Sequence, residues 1–188
     1  MAPRPDVPAG ACAEALGSRP VKPFRFCPAC GTAIAEPEPE RGSTCPSCSR
    51  TWYRNPAPTV GAVIVRDGKA LIARRGTDPH EGRFDSPGGF LEAGEDALAG
   101  LRREIREELG VGIDVDPSDY IDATVHTYGD EDDYVLALSF AARLVSGRPQ
   151  ANDDVADIRW VGPDELDDVE WAWEHNREDT RRALQRGT

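Results

Sequence analysis

Three glutamates, Glu104, Glu107 and Glu108, lie within one short segment whose composition predicts a helix. Glu104 and Glu108 stand four residues apart, and like charges at that spacing destabilise a helix by about 0.2–0.5 kcal/mol. We expect a single cation near these carboxylates, Arg103, because the neighbouring arginines project to the other side of the helix. A hard divalent cation with oxygen ligands would remove the repulsion and leave coordination positions for a phosphate substrate. The alternative is a solvated, charge-rich helix surface, the commoner fate of a charge run.

The elements that must position these carboxylates are a loop and the helix that follows it. Prolines and glycines punctuate residues 87–94, which predicts a loop, because glycine tolerates backbone angles that other residues avoid. From Asp96 to Leu109 good helix formers dominate, and Gly110 follows as a stop signal. At about 100° per residue, four apolar side chains form one stripe that must face a core: Leu98, Leu101, Ile105 and Leu109.

The loop and the helix together carry a family pattern. The fixed positions are Gly89, then after five residues Glu95, after seven Arg103-Glu104-Ile105, after one Glu107-Glu108, and after one more Gly110-Val111. This pattern resembles the complete signature of the Nudix hydrolases. The resemblance implies an enzyme that cleaves a nucleoside diphosphate linked to another moiety, with Mg²⁺ or Mn²⁺ as cofactor. It also implies an α/β/α sandwich with a mixed sheet, over about residues 57–187.

The same resemblance implies which residues would hold the catalytic metal. Glu104 and Glu108 would be the principal ligands, and Glu107 would assist them. The backbone carbonyl of Gly89 could also bind the ion. A divalent ion in this position would neutralise the diphosphate and lower the pKa of a bound water.

Three further residues enter through the resemblance. Arg103 would orient a carboxylate of the motif, for which Glu95 is the candidate. In similar proteins a carboxylate in the loop before the last strand helps with metal or water, and Asp154 is the candidate here. The general base would be the remaining glutamate of the helix or a carboxylate of Asp153-Asp154, and both alternatives stay open.

Three arginines flank the loop that leads into the motif: Arg74, Arg75 and Arg83. A guanidinium group pairs bidentately with phosphate oxygens, so these residues are candidate contacts to the substrate. Each of them, taken singly, is equally well interpreted as an ordinary surface arginine.

Four cysteines form two C-x-x-C pairs separated by 14 residues, Cys27 with Cys30 and Cys45 with Cys48. Each pair can form a tight turn that points two thiolates at one centre, and four sulfurs suit tetrahedral Zn²⁺. Disulfides are a weaker interpretation because residues 1–20 lack the features of a secretory signal, and a four-cysteine iron site is a minor alternative. The segment resembles a zinc ribbon.

A zinc ribbon can buttress its neighbour, hold a homodimer together or bind nucleic acid. The basic residues of this segment are scattered, which favours a structural or dimerising role over a nucleic-acid footprint. A ribbon before a Nudix motif resembles the NADH pyrophosphatases and their NAD-cap-removing relatives, an alternative activity. Those enzymes carry a Ser-Gln-Pro-Trp-Pro-Phe-Pro segment after the motif, and this chain has none after Val111.

The sequence divides into three parts: a proline-rich flexible tail over 1–23 that includes Cys12, a zinc ribbon over 24–55 with an exposed Glu/Pro loop at 36–40, and a Nudix hydrolase domain over 56–188. Alternating and β-branched runs predict a hairpin and later strands, and a helix follows near the end. The predicted elements are Thr59–Arg66, Lys69–Arg74, Tyr120–Tyr128, Tyr134–Val145, Val155–Val161 and the helix Trp173–Gln185.

Composition and net charge limit the classes of molecule that the protein is expected to bind. Hydrophobic residues are 39% and charged residues 30% of the chain, which is ordinary for a soluble globular protein. The net charge of -12 disfavours nonspecific nucleic-acid binding and attraction to anionic membranes. No apolar run approaches about 18 residues. We therefore expect a small nucleotide substrate and a cytoplasmic location.

The chain has three histidines, and we expect none of them in the chemistry. His80 is interpreted as a solvated loop residue, His126 as a structural residue on a strand and His175 as a surface residue. Tyr128, on the same strand as His126, is weak evidence for any particular substrate. A rival function is a Nudix-fold nucleotide sensor or nucleic-acid-binding module without hydrolysis, and the intact set of three glutamates argues against it.

Overall fold

A computed structural model of the chain describes residues 24–34, 42–129 and 133–186. The predicted tail at 1–23, the Glu/Pro loop and the tip of the turn at 130–132 lie outside the described residues. Tertiary contacts divide the chain into two compact units, Met1–Asn55 and Pro56–Thr188. No helix in the described ranges is long and apolar enough to cross a membrane.

The first unit contains two short antiparallel strands, β1 (Ser43–Thr44) and β2 (Thr51–Trp52). Each cysteine pair sits in a tight turn: the Cys27 carbonyl accepts from the Gly31 N–H at 2.9 Å, and the Cys45 carbonyl accepts from the Ser49 N–H at 3.0 Å. Cys27 and Cys45 are buried and pack with Ile34 in a small core. The two turns therefore hold the buried cysteines close together.

The second unit is organised around one mixed sheet. Its strands are β3 (Ala57–Arg66), β4 (Lys69–Arg75), β5 (Phe84–Asp85), β6 (Gly88–Phe90), β7 (Gly112–Asp114), β8 (Tyr120–Thr127), β9 (Tyr134–Ser146) and β10 (Val155–Val161). The central order is β10-β4-β3-β9-β7, and β5, β6 and β8 pair with β4, β3 and β9. β3 and β9 run parallel, and the other pairs are antiparallel.

Two helices cover opposite faces of this sheet, α1 (Ala97–Leu109) and α2 (Glu174–Arg186). The side chains of β3 alternate between the two faces of the sheet, so this strand packs against both helices. Val60 and Ile64 pack with α1, whereas Val63 packs in the cluster that includes α2. Because successive side chains of a strand point to opposite faces, a continuous apolar run is required here. The predicted α/β/α sandwich with a mixed sheet is confirmed.

Helix α1 begins and ends as the sequence predicts. The Asp96 side chain accepts from the N–H of Leu98 at 3.0 Å and of Ala99 at 3.3 Å, which caps the N-terminus. Gly110 ends the helix in a left-handed conformation. The apolar stripe is buried, with Leu101, Ile105 and Leu109 at 0% exposure, and burial of each such side chain stabilises the fold by about 1.5–3 kcal/mol.

The long predicted strands are found to within two residues, but three short strands of the second unit were missed. β5, β6 and β7 contain two or three residues each, too few for a periodic pattern. Their pairing comes from neighbours distant in sequence, as when Gly89 of β6 pairs with Val60 of β3. β6 matters most, because it holds the glycines of the predicted motif against β3 and places the Gly88 N–H beside Glu108 of α1.

Candidate active site

Two glycines bring the loop backbone against the glutamates of α1. The Gly88 N–H donates to Oε2 of Glu108 at 2.8 Å. Gly88 has a φ of +146°, and a Cβ there would lie 2.1 Å from the Val60 carbonyl oxygen. A Cβ on Gly89 would lie 2.6 Å from Cδ of Glu104. Only glycine fits at position 88, where a Cβ would meet backbone atoms, whereas a Cβ at position 89 would displace the Glu104 carboxylate.

Arg103 organises the carboxylates around the loop. Its guanidinium donates to both oxygens of Glu95 at 2.9 and 2.8 Å, to Glu104 at 2.8 Å, to Glu107 at 3.0 Å and to the Phe90 carbonyl at 3.1 Å. An arginine has five N–H donors, so every one is used. Arg103 therefore positions protein groups and has no donor left for a substrate.

Arg103 was expected to be the single cation near the three glutamates, and the family resemblance named Glu95 as the carboxylate that it would orient. In the structure Arg103 pairs with Glu95 and with two of the three glutamates, Glu104 and Glu107. Hydrogen bonds from Arg103 and from the Glu92 N–H lower the pKa of Glu95 to about 2.

Glu108 is the carboxylate without a cation. It is 7% exposed, and in the described part of the chain no basic side chain pairs with it. Burial raises its pKa well above the ordinary value, and the nearby carboxylates Asp154, Glu104 and Asp85 raise it further, against the lowering by the Gly88 N–H. Burial also raises the pKa of Glu104, although Arg103 opposes this. The site is thus electrostatically suited to accept a positive ion.

The loop before β10 adds a carboxylate to the same place. The Asn152 N–H donates to the Glu108 carbonyl at 2.9 Å, and the Asp154 carbonyl accepts from the Gly76 N–H at 2.7 Å. These bonds tie the loop to the end of α1 and to β4. Asp154 lines the same cavity as Glu104 and Glu108.

This cavity has a volume of about 280 Å³. Its acidic end, a term used here for one set of lining residues, consists of Gly88, Gly89, Glu104, Glu108, Asp153 and Asp154. The described lining does not include Glu95, Arg103 or Glu107. The Glu107 side chain is 49% exposed, so of the three predicted glutamates it faces solvent most.

The three arginines predicted to contact phosphate have different positions. Arg74 lines the cavity, pairs with Asp157 at 3.6 Å and lies over the Phe84 ring. Arg83 is exposed and is not in the described lining of the cavity.

Arg75 also lines the cavity, but protein groups already engage it. Its side chain is 13% exposed. It donates to the Pro79 carbonyl at 2.6 Å, to Oδ2 of Asp85 at 3.3 Å and to the Tyr128 hydroxyl at 3.1 Å. Asp85 also accepts from the Asn176 amide, and burial raises the pKa of Asp85 to about 6 against the lowering by Arg75.

The cavity lining also contains an aromatic group, which sequence reasoning missed. Its residues, named here the aromatic end, are His126, Tyr128, Trp173 and His175. His126 and His175 stack with ring centroids 4.8 Å apart, and Trp173 lies 4.9 Å from His126. The expectations of a structural His126 and a surface His175 were incomplete, because both line the cavity. His126 and Tyr128 lie at and just after the end of β8, and Trp173 and His175 lie just before and at the start of α2, so no local spacing signals them. The only available signal was composition, because the chain has just three histidines and four tryptophans.

In the first unit the four cysteine sulfurs lie within 4.8 Å of one another. Sγ of Cys27 lies 3.7 Å from Sγ of Cys48, and Sγ of Cys30 lies 3.6 Å from Sγ of Cys45. A disulfide needs about 2.05 Å, whereas tetrahedral Zn–S bonds of about 2.3 Å separate sulfurs by about 3.8 Å. The cluster therefore fits a four-coordinate ion and could bind zinc.

The second unit carries the features of one family. The family model described as NUDIX domain matches residues 55–183. The chain belongs to the NUDIX family. The family resemblance read from Gly89 to Val111 is thereby confirmed.

Curated relatives of this NUDIX chain fall into several activity classes. The NAD-capped RNA hydrolase NudC of Pseudomonas aeruginosa is 34% identical over 146 residues, which are 76% of this chain and 49% of that protein. An ADP-ribose pyrophosphatase of Methanocaldococcus jannaschii is 30% identical over 66% of this chain and 72% of that protein. The chain spans about half the length of the NudC relatives. Because those relatives are named for capped RNA, the expectation that nucleic acid is not a partner is not confirmed.

Solved NUDIX structures share the fold. A NUDIX hydrolase from Nitrosomonas europaea superposes with a TM-score of 0.69 and 22% identity, covering 86% of this chain and 91% of that one. A MutT NUDIX hydrolase from Burkholderia pseudomallei gives a TM-score of 0.61 and 25% identity, covering 68% and 98%.

Proposed function

We propose that this protein is a divalent-metal-dependent hydrolase that cleaves the pyrophosphate bond of a nucleoside diphosphate linked to another moiety. The observation that carries the proposal is Glu108, a buried carboxylate facing a cavity beside Glu104 and Asp154 with no described basic partner. A cluster of carboxylates with raised pKa values in a cleft is typical of a functional site. Family membership and relatives that act on ADP-ribose or NAD-capped RNA support the same reaction class.

Different residues of the site would bind the metal, position its ligands and accept the proton of the attacking water. Glu104 and Glu108 would hold Mg²⁺ or Mn²⁺, and the Gly89 carbonyl is a further candidate ligand. The bound ion would supply charge neutralisation of the diphosphate and a lowered pKa for the attacking water. Arg103 keeps Glu104 aimed at the cavity by holding it against the loop. Asp154 would accept the proton of the attacking water, since it lines the cavity and Glu107 is not in the described lining.

A panel assay tests the proposal. Purified protein with Mg²⁺ or Mn²⁺ is incubated with ADP-ribose, NADH, nucleotide sugars, dinucleoside polyphosphates and nucleoside triphosphates, and products are identified by chromatography and mass spectrometry. We expect cleavage between the two phosphorus atoms of at least one diphosphate compound, lost on chelation of the metal. Tight binding without any product would instead favour a nucleotide sensor.

NAD-capped RNA is a second candidate substrate, favoured by relatives of that name at 34% identity and by the four-cysteine cluster. A short RNA with a 5′ NAD cap, compared with free NAD at equal concentration, distinguishes the two. Preference for the capped RNA by at least tenfold in kcat/KM would make nucleic acid a partner.

We further propose that Cys27, Cys30, Cys45 and Cys48 hold one structural zinc in a ribbon over 24–55, separate from the hydrolase domain that follows. Their four Sγ atoms lie within 4.8 Å of one another, which is compatible with binding to a single tetrahedral ion. Elemental analysis of protein purified without added metal should give one zinc per chain. Neither zinc nor iron in that sample would contradict the proposal.

A further inference from the structure

The four cysteine sulfurs of the first unit have unequal surroundings. Cys27 and Cys45 are 2% and 1% exposed, whereas Cys30 and Cys48 are exposed. Sγ of Cys30 also lies 3.3 Å from the hydroxyl oxygen of Thr32. Exposed sulfurs can receive hydrogen bonds from water, but buried sulfurs must receive them from the protein. The donors around the buried pair therefore determine how well these two sulfurs can carry negative charge.

A buried indole N–H beside this cluster has no oxygen or nitrogen partner. Trp52 belongs to β2, and its side chain packs against the small core that contains Cys27 and Cys45. Its Nε1 is buried, and no nitrogen or oxygen atom of the described residues accepts its hydrogen. By contrast, the buried indole N–H of Trp171 donates to the Leu166 carbonyl at 2.9 Å. An indole N–H can only donate, and a buried donor without an acceptor lowers the stability of the fold.

The acceptor that lies within reach of Trp52 is the Cys27 sulfur. The Trp52 side chain hydrogen-bonds to Cys27, as do the backbone N–H groups of Ala29 and Cys30. The sulfur of a neutral thiol is a weak acceptor, whereas a thiolate accepts a charge-assisted hydrogen bond. The indole N–H is therefore fully satisfied when Cys27 is a thiolate, which is the form in which cysteine binds a metal.

Packing alone does not explain an indole at position 52. A phenylalanine ring would cover the same core and would introduce no buried donor. Four thiolates around one divalent ion leave an excess of negative charge, and N–H donors directed at the sulfurs disperse this charge. The indole of Trp52 thus supplies at Cys27 the kind of group that stabilises a four-thiolate centre.

We propose that Trp52 is a positioning residue of the four-cysteine metal centre and that its Nε1–H donates to the metal-bound sulfur of Cys27. A hydrogen bond from outside the set of ligands orients the ligand and reduces the electron density on its sulfur. Cys27 is thereby fixed toward the ion and is less reactive than the exposed Cys30 and Cys48. This inference rests on the proposed zinc site and is independent of the proposed hydrolysis.

Nuclear magnetic resonance of the wild type tests this hydrogen bond directly. The full-length protein is labelled with ¹⁵N and loaded with ¹¹³Cd²⁺, an NMR-active soft ion that binds thiolates as Zn²⁺ does. We expect the Nε1–H of Trp52 to show scalar coupling to the cadmium nucleus, because a hydrogen bond to the metal-bound sulfur connects the two. The indole N–H of Trp171, which donates to a carbonyl, should show none. A loaded centre without coupling to Trp52 would overturn the proposal.

The variant Trp52→Phe removes the donor and keeps an aromatic ring. Its zinc affinity, measured by competition with a chromophoric chelator, should fall about 10–100-fold, as is typical when such a partner of a metal ligand is lost. In the Co²⁺-loaded variant the sulfur-to-cobalt charge-transfer band should move to lower energy, because the Cys27 sulfur then holds its electrons less tightly. Trp160→Phe is the matched control, because it makes the same substitution in β10 of the second unit and should change neither value. Thermal denaturation verifies that both variants fold.

The outcomes distinguish failure of this inference from failure of the proposed zinc site. A wild type that binds neither Zn²⁺ nor Cd²⁺ would refute the zinc site, and the role of Trp52 with it. Unchanged zinc affinity and an unmoved Co²⁺ band in folded Trp52→Phe would refute the role of Trp52 alone. Weaker zinc binding with an unmoved band would also refute it, because Trp52 would then act through packing only. If Trp52→Phe does not fold, the cadmium coupling in the wild type decides.

Discussion

Each end of the cavity has an arginine bonded to its lining or within it, and the two ends differ in the charge that remains uncompensated. Arg103, which bonds to Glu104 of the acidic end but is not in the described lining, uses its five donors on Glu95, Glu104, Glu107 and the Phe90 carbonyl, and Glu108 is left without a described cation. At the aromatic end Arg75 pairs with Asp85, and the rest of the wall is neutral.

This difference indicates what each end requires from outside the chain. Buried carboxylates that are not compensated within the fold need a cation, which a divalent metal supplies. A balanced wall of flat side chains needs no charge and gains by covering apolar surface. The comparison therefore supports the proposed metal site at the acidic end, whereas the aromatic end has no comparable need for a cation.

The largest expected effect comes from removing the charge at the acidic end with Glu108→Gln. Turnover should fall about 10²–10³-fold, because a ligand of the group that stabilises the transition state is lost. Glu107→Gln is the matched control: it removes the same charge from a side chain that is 49% exposed, and it should cost less turnover than Glu108→Gln. Equal losses of turnover in the two variants would mean that lining the cavity gives Glu108 no larger role than Glu107.

Stability of the same variant should move in the opposite direction. Without metal, Glu108→Gln relieves repulsion with Glu104, so its Tm should equal or slightly exceed that of the wild type. With Mg²⁺ the wild type should gain more than the variant, since a ligand that binds the folded state stabilises it by mass action. Differential scanning fluorimetry measures both Tm values. An identical Mg²⁺-induced shift in Tm for the wild type and the variant would mean that α1 presents an ordinary charged surface without a metal site.

At the aromatic end the corresponding test is the pH dependence of stability through His175. Its pKa is about 4 in the fold and about 6.5 when unfolded, so between those values the unfolded chain binds the extra proton. The wild type should therefore lose about 3 kcal/mol relative to His175→Asn as pH falls from 7 to 4. Urea denaturation across this range measures it. If the free energy of unfolding depends on pH in the same way for the wild type and His175→Asn, the His175 imidazole is solvated and its pKa is not lowered by burial.

A smaller effect is expected from Arg103→Lys. Lysine keeps the charge but cannot span Glu95, Glu104 and the Phe90 carbonyl together. We expect about 2 kcal/mol of lost stability, from loop and helix groups left without a donor, and a lower kcat. Denaturant titration and initial rates measure these. Wild-type values for both would show that the ammonium group alone is sufficient.

The smallest effect concerns Glu95, whose pKa is lowered to about 2 by Arg103 and the Glu92 N–H. A lowered folded pKa stabilises the protein above the unfolded value near 4.3 and loses that contribution as pH falls toward 2. The stability advantage of wild type over Glu95→Gln should thus be full at pH 7 and shrink below about pH 4. An advantage independent of pH would mean that charge on Glu95 is not what Arg103 recognises.

The two ends also differ in how far sequence could predict them. Helix α1, its caps and the hairpin of β3 and β4 were predicted correctly because their signals are local. Glu95 was named as a partner of Arg103 from the family pattern, whereas the bonds of Arg103 to Glu104 and to the Phe90 carbonyl were not predicted, since the position of Phe90 depends on how β6 pairs with β3.

The aromatic end could not be predicted at all. Arg75, Tyr128 and Trp173 come from three separate segments that meet only when β4, β8 and the start of α2 are packed. Each residue taken alone, His126 among them, has an ordinary interpretation on its own element. What identifies the site is their juxtaposition, which belongs to tertiary structure.

The most direct test of the proposed metal site at the acidic end is a titration of Mn²⁺ into the wild type, Glu108→Gln and Trp173→Ala. Electron paramagnetic resonance measures the concentration of free Mn²⁺ at each step. The account predicts that Glu108→Gln weakens Mn²⁺ binding at least about tenfold while Trp173→Ala binds it as the wild type does. Wild-type Mn²⁺ affinity in Glu108→Gln, with the protein folded, would contradict the assignment of the metal to the acidic end.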